Sequence, residues 1–461
     1  MADFLGRHAL VIGAGMSGLA AAGALAKHFE RVTVLERDRL ADDPAHRQGT
    51  PQCRQLHGLL PGGLEALCAI FPGFDQDLAG AGAAPVRVAA DVREELPGFD
   101  PFPRRDFGSV AYTMSRPLLE HTLRRRARAQ RNVAIRDGCR VLELVASADR
   151  RRITGARCEG IDGMRETISA DLVVDASARG TLTLAALEAT GRARPRETTV
   201  GVNIGYATAD FEMPERRPDW KAVLAFPDVP SERRCGFLLP VEGNRWMVCI
   251  GEQQCPTPPR DLAEFLDAAK LLRTRTIYDA IKNARPISGP HRFGFPESSW
   301  RHYETVADFP QGLIPIGDAV CRFNPIYGQG MSVAAREASV LADLLARRAG
   351  DRQALAGLPQ AFLAEALPWV AGAWSMSAIP DLAYPETGGE RPADLEDRLN
   401  FVSALHRVAA RNPDVHELLV AVRYFLRPDS ALDEPGLVEQ VRAEMAAASM
   451  SPTAELVAAA A

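Results

Sequence analysis

A glycine-rich turn, placed directly between an apolar run and an Ala-rich run, constrains the fold of this chain more than any other feature. HALVIG leads into Gly13-x-Gly15-x-x-Gly18, an Ala-rich helical pattern follows, and RVTVLER reads as a second strand. The sequence therefore predicts a strand–helix–strand unit whose turn lets the backbone approach a diphosphate closely. The three glycines are expected to allow the tight turn, the approach of the backbone to the diphosphate and close packing of the helix on the strand, in that order. The expected cofactor-binding residues of this turn are Gly13, Ala14, Gly15, Met16, Ser17 and Gly18.

An acidic residue at the end of the second strand supports a dinucleotide site. Glu36 lies 18 positions after Gly18, where a carboxylate can accept hydrogen bonds from the hydroxyls of an adenosine ribose. A 2′-phosphate would meet this carboxylate, so Glu36 disfavours NADP, although Arg37 beside it weakens that argument. The N-terminal turn alone leaves NAD and FAD open.

A second turn of the same kind lies about 300 residues further on. The run GLIPIG is followed by Asp318, glycines recur at Gly328 and Gly330, and a helical pattern begins. FAD is longer than NAD and needs support for its ribityl chain and flavin ring. Asp318 can accept from a ribityl hydroxyl, and the start of the helix favours negative charge on a reduced flavin. The second turn therefore favours FAD, with expected contacts at Asp318, Pro325, Gly328, Gln329, Gly330 and Met331.

The region between the two turns is rich in strand patterns: residues 83–116 alternate like antiparallel strands, and RPLLEHTLRRRARAQ after them reads as an amphipathic helix. The region after the second turn reads mainly as helices, interrupted at IPDLAYPETGGERPADL. We therefore predict an α/β fold in which a Rossmann-like FAD-binding domain is interrupted by a β-rich substrate domain and followed by C-terminal helices. The predicted boundaries are 1–85, 106–190 and 291–350 for three parts of the FAD-binding domain, 86–105 for substrate-domain strands, 191–290 for the substrate domain, and 351–461 for the helical region.

Composition excludes several classes of protein. A net charge of −5 argues against a nucleic-acid partner, because phosphate neutralisation needs a basic surface. The nine histidines form no ligand spacing that would predict a metal site. Eight scattered cysteines are typical of reduced thiols in a cytoplasmic protein. The apolar run Ala9–Ala26 is explained by the first strand, turn and helix, so no integral membrane segment is expected.

Several segments together resemble a known family. GAGMSGLAAA, SRPLLEHTLRRRA, DLVVDASARG and GLIPIGDAVCRFNPIYGQGMSVAAREA are similar to the aromatic hydroxylase and squalene-epoxidase-like superfamily of FAD monooxygenases. Within it, RQGTPQCRQLHGLLPGGLEAL, FNPIYGQGM, VGVNIGYAT and FLLPVEGNRWMV resemble the bacterial FAD epoxidases of polyether and other natural-product pathways. The chain departs from the superfamily at Ala178, where glycine is common.

The resemblance implies further site residues. Arg116 would contact FAD, the backbone of Val141 would meet the adenine, and RQGTPQCRQLH would pass the flavin ring. In that loop, Arg47 is a candidate flavin or phosphate contact and His57 is the candidate catalytic residue. Tyr327 is a candidate substrate contact. For His57 and Tyr327, a packed structural side chain remains the alternative.

The resemblance also implies the chemistry. The expected activity is insertion of one oxygen atom from O2 into a hydrophobic molecule, by epoxidation or hydroxylation, through a flavin C4a-hydroperoxide in secondary metabolism. Electrons would come from NAD(P)H or from an external flavin reductase, and the oligomeric state stays open. The alternatives are an FAD-dependent reductase of an isoprenoid-like substrate, a halogenase and a non-enzymatic FAD-binding protein. CGFLLP disfavours the halogenase, because Cys235 and Phe237 stand where that family has tryptophans.

Overall fold

Strands and helices alternate through most of the chain. The structure, a computed structural model, describes residues 4–255 and 257–449. The strands are β1 Gly6–Ile12, β2 Phe29–Leu35, β3 Gly58–Leu59, β4 Ala84–Arg87, β5 Val92–Glu95, β6 Val110–Thr113, β7 Val133–Arg136, β8 Cys139–Ala146, β9 Ile153–Gly160, β10 Arg165–Ser169, β11 Leu172–Asp175, β12 Glu197–Val200, β13 Ile204–Glu212, β14 Ala222–Ala225, β15 Arg234–Val241, β16 Arg245–Glu252, β17 Pro286–Phe295, β18 Ser298–Arg301, β19 Leu313–Pro315 and β20 Cys321–Arg322.

The helices connect and cover these strands. They are α1 Met16–Ala26, α2 Pro61–Ile70, α3 Phe74–Gly80, α4 Arg116–Arg128, α5 Thr181–Ala189, α6 Leu262–Lys270, α7 Thr276–Ile281, α8 Gly330–Arg347, α9 Leu358–Leu382, α10 Leu395–Arg411, α11 Pro413–Arg423 and α12 Pro435–Ser449. Short 3₁₀ turns occur at Pro51–Arg54, Tyr303–Thr305, Gly317–Ala319, Pro325–Tyr327 and Asp429–Asp433.

A five-stranded sheet carries the N-terminal turn. Its strand order is β19-β11-β1-β2-β7, and every neighbouring pair is parallel. β1 is almost entirely buried, which explains why its sequence is a continuous apolar run rather than an alternating one. In such sheets, ligands bind at the carboxyl ends of the strands. The order therefore brings the segments that follow β1 and β19 to one edge, and it confirms the predicted α/β class.

A six-stranded sheet forms the middle of the chain in the order β17-β13-β16-β15-β14-β5. Its neighbouring strands are antiparallel except for β14 and β5, which pair in parallel. The alternating pattern around β5 indicated antiparallel strands, and this was wrong for β5 because β5 comes from a distant part of the chain. α6 and α7 pack on one face of the sheet through Phe265, Ile277 and their neighbours.

Helices α8 to α12 follow the last strands. The sequence predicted an interruption beginning at IPDLAY, but α9 continues through Pro380 and ends at Leu382. The turn around Pro380 is held because Asp381 and Leu382 are buried, so tertiary contacts outweigh the missing proline N–H. Across residues 4–255 and 257–449, no helix combines the length and the apolar character needed to cross a bilayer.

Candidate functional site

The two glycine-rich turns lie against each other, although about 300 residues separate them in the chain. Gly317 follows β19 with a φ of +66°, and a Cβ placed on it would lie 3.0 Å from the Cβ of Ser17. Ile316 N–H donates to the carbonyl of Asp175, at the end of the strand between β19 and β1. The turns after β1 and β19 therefore form one site at one sheet edge.

A cavity of about 1900 Å³ runs along this edge and into the six-stranded sheet. It is about twice the upper size of ordinary small-molecule pockets, which reach about 1,000 Å³, so it has room for a dinucleotide and a second molecule. The predicted site residues that line it are Gly13, Gly15, Met16, Ser17, Glu36, Arg37, Arg47, His57, Arg116, Val141, Asp318, Pro325, Tyr327, Gly328, Gln329, Gly330 and Met331.

Two of the predicted cofactor-binding residues, Ala14 and Gly18, do not line the cavity, and the packing role expected of Gly18 is visible in the turn. Ala14 uses its backbone N–H to donate to Glu36 Oε2 at 2.8 Å. Gly18 packs against Gly13, and a Cβ on Gly18 would lie 1.9 Å from the Gly13 carbonyl oxygen. A Cβ on Gly15 would make only ordinary van der Waals contacts, 3.7 Å from Arg47 and 3.9 Å from Glu120.

This difference predicts opposite effects of two alanine substitutions. Gly18→Ala should lower the melting temperature strongly, because the added Cβ would overlap a backbone atom of the same turn. Gly15→Ala should leave the melting temperature of the FAD-free protein close to that of the wild type, yet weaken FAD binding about tenfold or more, since the backbone could no longer approach the diphosphate. Thermal melts and FAD titration of both variants check this, and tight FAD binding by Gly15→Ala would contradict it.

Glu36 is buried and already has donors from the protein. Besides the Ala14 N–H at Oε2, it accepts the Asp38 N–H at Oε1, at 3.0 Å, and Arg47 lies 3.1 Å from Oε2. Each carboxylate oxygen accepts about two hydrogen bonds, so Oε1 keeps one free position. Glu36 can thus accept a further hydroxyl at Oε1, but the contact with both ribose hydroxyls that the sequence suggested would need Arg47 to move.

Arg47 is the centre of a buried ion-pair network. Its guanidinium lies 3.1 Å from Glu36 and 3.1 Å from Asp38. It also lies 3.2 Å from Glu120, which in turn pairs with Arg116 at 2.7 Å. Burial opposes the charge of Arg47, but these carboxylates outweigh it and raise the pKa of Arg47. The network fixes the loop that carries Arg47 over the N-terminal turn, on the phosphate side of the cavity.

Asp318 begins the second turn and has no hydrogen-bond donor among the residues that the structure describes. Burial raises the pKa of its carboxyl group, while Arg322 and Arg116 act in the opposite direction. Its Oδ1 lies 4.0 Å from the position of a Cβ on Gly330, at the start of α8. A cavity-lining carboxylate without a protein donor fits the acceptor that a ribityl hydroxyl requires.

A second buried carboxyl group supports the Gly317–Asp318 turn on the side away from the cavity. Glu337 of α8 accepts the Gly317 N–H at 2.8 Å. Burial raises the pKa of Glu337 to about 8, despite this hydrogen bond, and the nearby Asp318 raises it further. Glu337 therefore positions the Gly317–Asp318 backbone and does not itself line the cavity.

The loop between Asp318 and α8 is fixed by a residue from α9. Asp381 is fully buried and accepts from Asn324 Nδ2 at 3.0 Å and from the Tyr327 hydroxyl at 3.1 Å. Gln253, at the end of β16, donates to the same carboxylate. Burial raises the pKa of Asp381 to about 7, against these three donors. Tyr327 therefore lines the cavity with its ring, while its hydroxyl group is engaged in this network.

His57 lies in the loop that was expected to pass the flavin ring. Its Nδ1 is 2.8 Å from the carbonyl oxygen of Gln55, so Nδ1 carries the proton and donates. Burial, followed by the charge of Arg116, lowers the pKa of His57 to about 4. The ring is neutral at pH 7, and Nε2 can accept a hydrogen bond. A catalytic role for His57 stays a prediction, with proton acceptance favoured over proton donation.

Val141 and Ala178 are two further positions that the sequence analysis singled out. Val141 lies beside an irregularity in the pairing of β8 with β9 and lines the cavity, and its contact with the adenine stays a prediction. Ala178 has a φ of +66°, which explains why glycine is common at that position. Within the described residues, no group of three or more His, Cys, Asp and Glu side chains could hold a metal ion.

The turns, the donor-free Asp318 and the continuous cavity all fit an extended dinucleotide, and comparison with known proteins agrees. The model of the FAD binding domain family matches residues 7–356. The chain belongs to the FAD binding domain family. Protein Rv3254 of Mycobacterium tuberculosis is 35% identical over 455 residues, which cover 94% of this chain and 91% of that protein. FAD, predicted from the two turns, is thus confirmed by the family.

Solved structures share the fold at low identity. A flavoprotein/dehydrogenase from Cytophaga hutchinsonii has a TM-score of 0.66 at 14% identity, over 95% of this chain and 99% of that one. A triple mutant of the flavin-dependent brominase Bmp2 has a TM-score of 0.64 at 15% identity, over 96% and 99%. PqsL of Pseudomonas aeruginosa, "a probable FAD-dependent monooxygenase", has a TM-score of 0.60 at 18% identity, over 86% and 99%. The same fold thus occurs in a flavoprotein/dehydrogenase, a brominase and a probable monooxygenase.

Sequence reasoning missed the residues that support the site from behind. Glu120 was read as part of an amphipathic helix, and Asp381 fell in a segment predicted to interrupt the helices. Glu337 carried no signal beyond its place in a helix. An acidic residue on the apolar side of a helix, such as Glu120 between Leu119 and Leu123, was the one available indication.

Proposed function

We propose that this protein is a flavin-dependent monooxygenase that inserts one oxygen atom from O2 into a hydrophobic organic substrate. The observation that carries the proposal is the continuity of the cavity from the Asp318 turn into an apolar chamber under the six-stranded sheet. A monooxygenase must keep water away from the reacting flavin while an apolar substrate reaches it. FAD, when bound and reduced, supplies the electrons that activate O2.

The wall of the chamber is mainly apolar and aromatic. Strands β5 and β13 to β17 contribute side chains on one side, and helices α9 to α11 contribute on the other. The wall includes Val92, Tyr206, Leu224, Phe237, Leu239, Phe293, Phe295, Met376, Ile379, Phe401, Leu405 and Leu419. Such a wall favours a hydrophobic substrate and excludes water, which supports oxygen transfer over hydrolysis.

The titratable groups in this wall favour reactions that need no base. Burial raises the pKa of Tyr206 and those of the thiols of Cys235 and Cys249, so all three are protonated at pH 7. His57 can accept a proton at Nε2, but its pKa of about 4 makes it a weak base for this purpose. Ionising a phenol for hydroxylation calls for a base, whereas an alkene attacks an electrophilic oxygen without one. Within the proposed activity, epoxidation of an alkene is therefore the favoured reaction, and a role in natural-product biosynthesis follows from the resemblance alone.

The electron donor is proposed to be NAD(P)H bound transiently or a separate flavin reductase. Among the described residues, the cavity presents one pair of glycine-rich turns, and a single FAD would occupy both. A tightly bound second dinucleotide would need a further site of this kind. Reduction of the bound FAD by NADH and NADPH, followed spectroscopically with and without an added flavin reductase, separates these two sources.

Incorporation of labelled oxygen tests the proposed function. FAD-loaded protein, reduced and then exposed to ¹⁸O2 with a panel of polyenes and aromatics, should give a product that carries one ¹⁸O atom. Matched reactions in H2¹⁸O with unlabelled O2 should give product without label. A product that is reduced or desaturated, with no label in either reaction, would instead establish the alternative of an FAD-dependent reductase or dehydrogenase.

A further inference from the structure

Arg322 lines the cavity without an ion pair among the described residues, and its charge acts only at longer range on the carboxyl group of Asp318. It lies on β20, immediately after the Asp318 turn, and is partly buried. Among the residues that the structure describes, no carboxylate lies within 4.0 Å of its guanidinium group, and no hydrogen bond uses its five N–H groups. Its Cζ lies 5.2 Å from the centroid of the Phe295 ring, which holds the side chain in place by a cation–π contact.

The direction of this side chain follows from the strand. Cys321, the preceding residue, is 2% exposed and belongs to the core of the parallel-sheet domain. Because successive side chains of a strand point to opposite faces, Arg322 points away from that core and into the cavity. Phe295, also in the cavity wall, lies on the same side. Arg322 therefore stands at the junction between the flavin turn and the apolar chamber.

The other arginines on the chamber side are paired. Arg233 pairs with Glu386 at 2.6 Å, Arg398 with Asp394 at 2.9 Å, and Arg423 with Glu94 at 2.6 Å. At the phosphate end, Arg47 and Arg116 share Glu120, as described above. The further cavity arginines without an ion pair in the described residues, which are Arg37, Arg140 and Arg179, are exposed, whereas Arg322 is partly buried. Arg322 thus differs from them in facing an apolar chamber.

We propose that Arg322 binds a carboxylate group of the substrate, so that the substrate is an apolar molecule with an acid group near the reacting carbon. A guanidinium group pairs with a carboxylate through two parallel hydrogen bonds, and this geometry also fixes the direction of the bound molecule. The apolar wall would hold the remainder of the substrate. The inference rests on the proposed substrate chamber, and it names the class of molecule that the chamber accepts.

A matched pair of probes tests this inference without turnover. The FAD-loaded protein is titrated with 2-naphthoate and with 2-naphthamide, which has the same shape without the charge, and binding is followed by calorimetry and by the flavin spectrum. Since hydrogen bonds to charged groups contribute about 1.5–3 kcal/mol, the naphthoate should bind about 10–150-fold more tightly than the amide. Arg322→Gln should remove this difference and leave the affinity for the amide within about twofold.

Two further variants make the result decisive. Arg322→Lys, which keeps the charge but loses the planar pair of donors, should retain part of the preference for the naphthoate. Arg233→Gln, which changes a paired arginine in the same cavity, should retain all of it. Equal affinities of the two probes for the wild type, or a preference that survives Arg322→Gln, would overturn the inference. Loss of FAD affinity in Arg322→Gln would also overturn it, because Arg322 would then serve the cofactor.

This experiment separates the inference from the proposed function. A preference for the naphthoate that depends on Arg322, together with absence of ¹⁸O incorporation, would refute the monooxygenase and leave the carboxylate site established. Labelled product formed from neutral polyenes, together with equal binding of the two probes, would establish the monooxygenase and refute the carboxylate site.

Discussion

Replacing Arg47 with methionine should lower the free energy of unfolding of the FAD-free protein by about 3–5 kcal/mol at pH 7. This is the usual cost of removing one partner of a buried ion pair and leaving the other charge buried. Its side chain is only 10% exposed and balances three carboxylates that are at most 14% exposed. Without Arg47, the carboxylates of Glu36, Asp38 and Glu120 would be close together, and Arg116 would be the one remaining ion-pair partner among the described residues. Chemical denaturation of both proteins after removal of FAD measures the difference.

The pH dependence gives this prediction a second measurement. Burial raises the pKa of Glu120, but Arg116 and Arg47 outweigh it and hold that pKa below its usual value. In the wild type, this contribution to stability is complete above the unfolded pKa of about 4.3 and is lost as the pH falls through the folded pKa. In Arg47→Met, the crowded carboxylates should have raised pKa values, so stability should fall as the pH rises. The difference between the two proteins should therefore shrink from pH 7 towards pH 4.5.

A matched control is available in the same cavity. Arg233 pairs with Glu386, but these side chains are 37% and 49% exposed. Arg233→Met should therefore cost less than about 1 kcal/mol, since exposed ion pairs contribute little. Equal losses for the two variants, or a loss in Arg47→Met that does not depend on pH, would show that Arg47 does not organise a buried network.

Replacing Asp318 with alanine should weaken FAD binding about 10–150-fold, because a hydrogen bond to a charged group contributes about 1.5–3 kcal/mol. The FAD-free variant should be at least as stable as the wild type. The reason is that Asp318 receives no donor from the described part of the chain, and burial raises its pKa, so the carboxylate costs stability until a ligand donates to it. FAD titration and thermal melts of the apoprotein measure the two effects separately.

Asp318→Asn serves as the control, since it keeps an acceptor oxygen of the same size and loses only the charge. Its affinity for FAD should lie between those of the wild type and Asp318→Ala. A stable Asp318→Ala variant that binds FAD as tightly as the wild type would mean that the second turn does not hold the ribityl chain.

The local parts of the FAD site could be predicted from the sequence because each depends on a few adjacent residues. The N-terminal turn needs glycines at fixed spacing after a buried strand, and the second turn repeats that chemistry at Asp318, Gly328 and Gly330. Ala178 could also be recognised locally, because it stands where glycine is common in the superfamily. Its positive φ in the structure explains why glycine is common there. Buried apolar runs likewise identified the strands of the parallel sheet.

The supports of the site could not be predicted in this way, because each joins segments that are distant in the chain. Glu120 meets Arg47 across 73 positions, and Asp381 meets Asn324 across 57. An acidic residue in a helix looks the same in the sequence whether its carboxylate faces solvent or accepts hydrogen bonds from three buried donors. The extension of α9 through Pro380 shows the same limit, since burial of Asp381 overrides a local signal for a helix end.

The sequence by itself determined the strand–turn–helix units, the number and kind of cofactor turns and, through the family, FAD. These depend on local backbone geometry, which residue type and spacing control directly. Only the tertiary structure decided that the two turns touch, that Arg47 pairs with three carboxylates, and that Arg322 forms no ion pair with any residue of 4–255 and 257–449. Ion pairing and burial depend on which distant segments come into contact, and the whole fold determines those contacts.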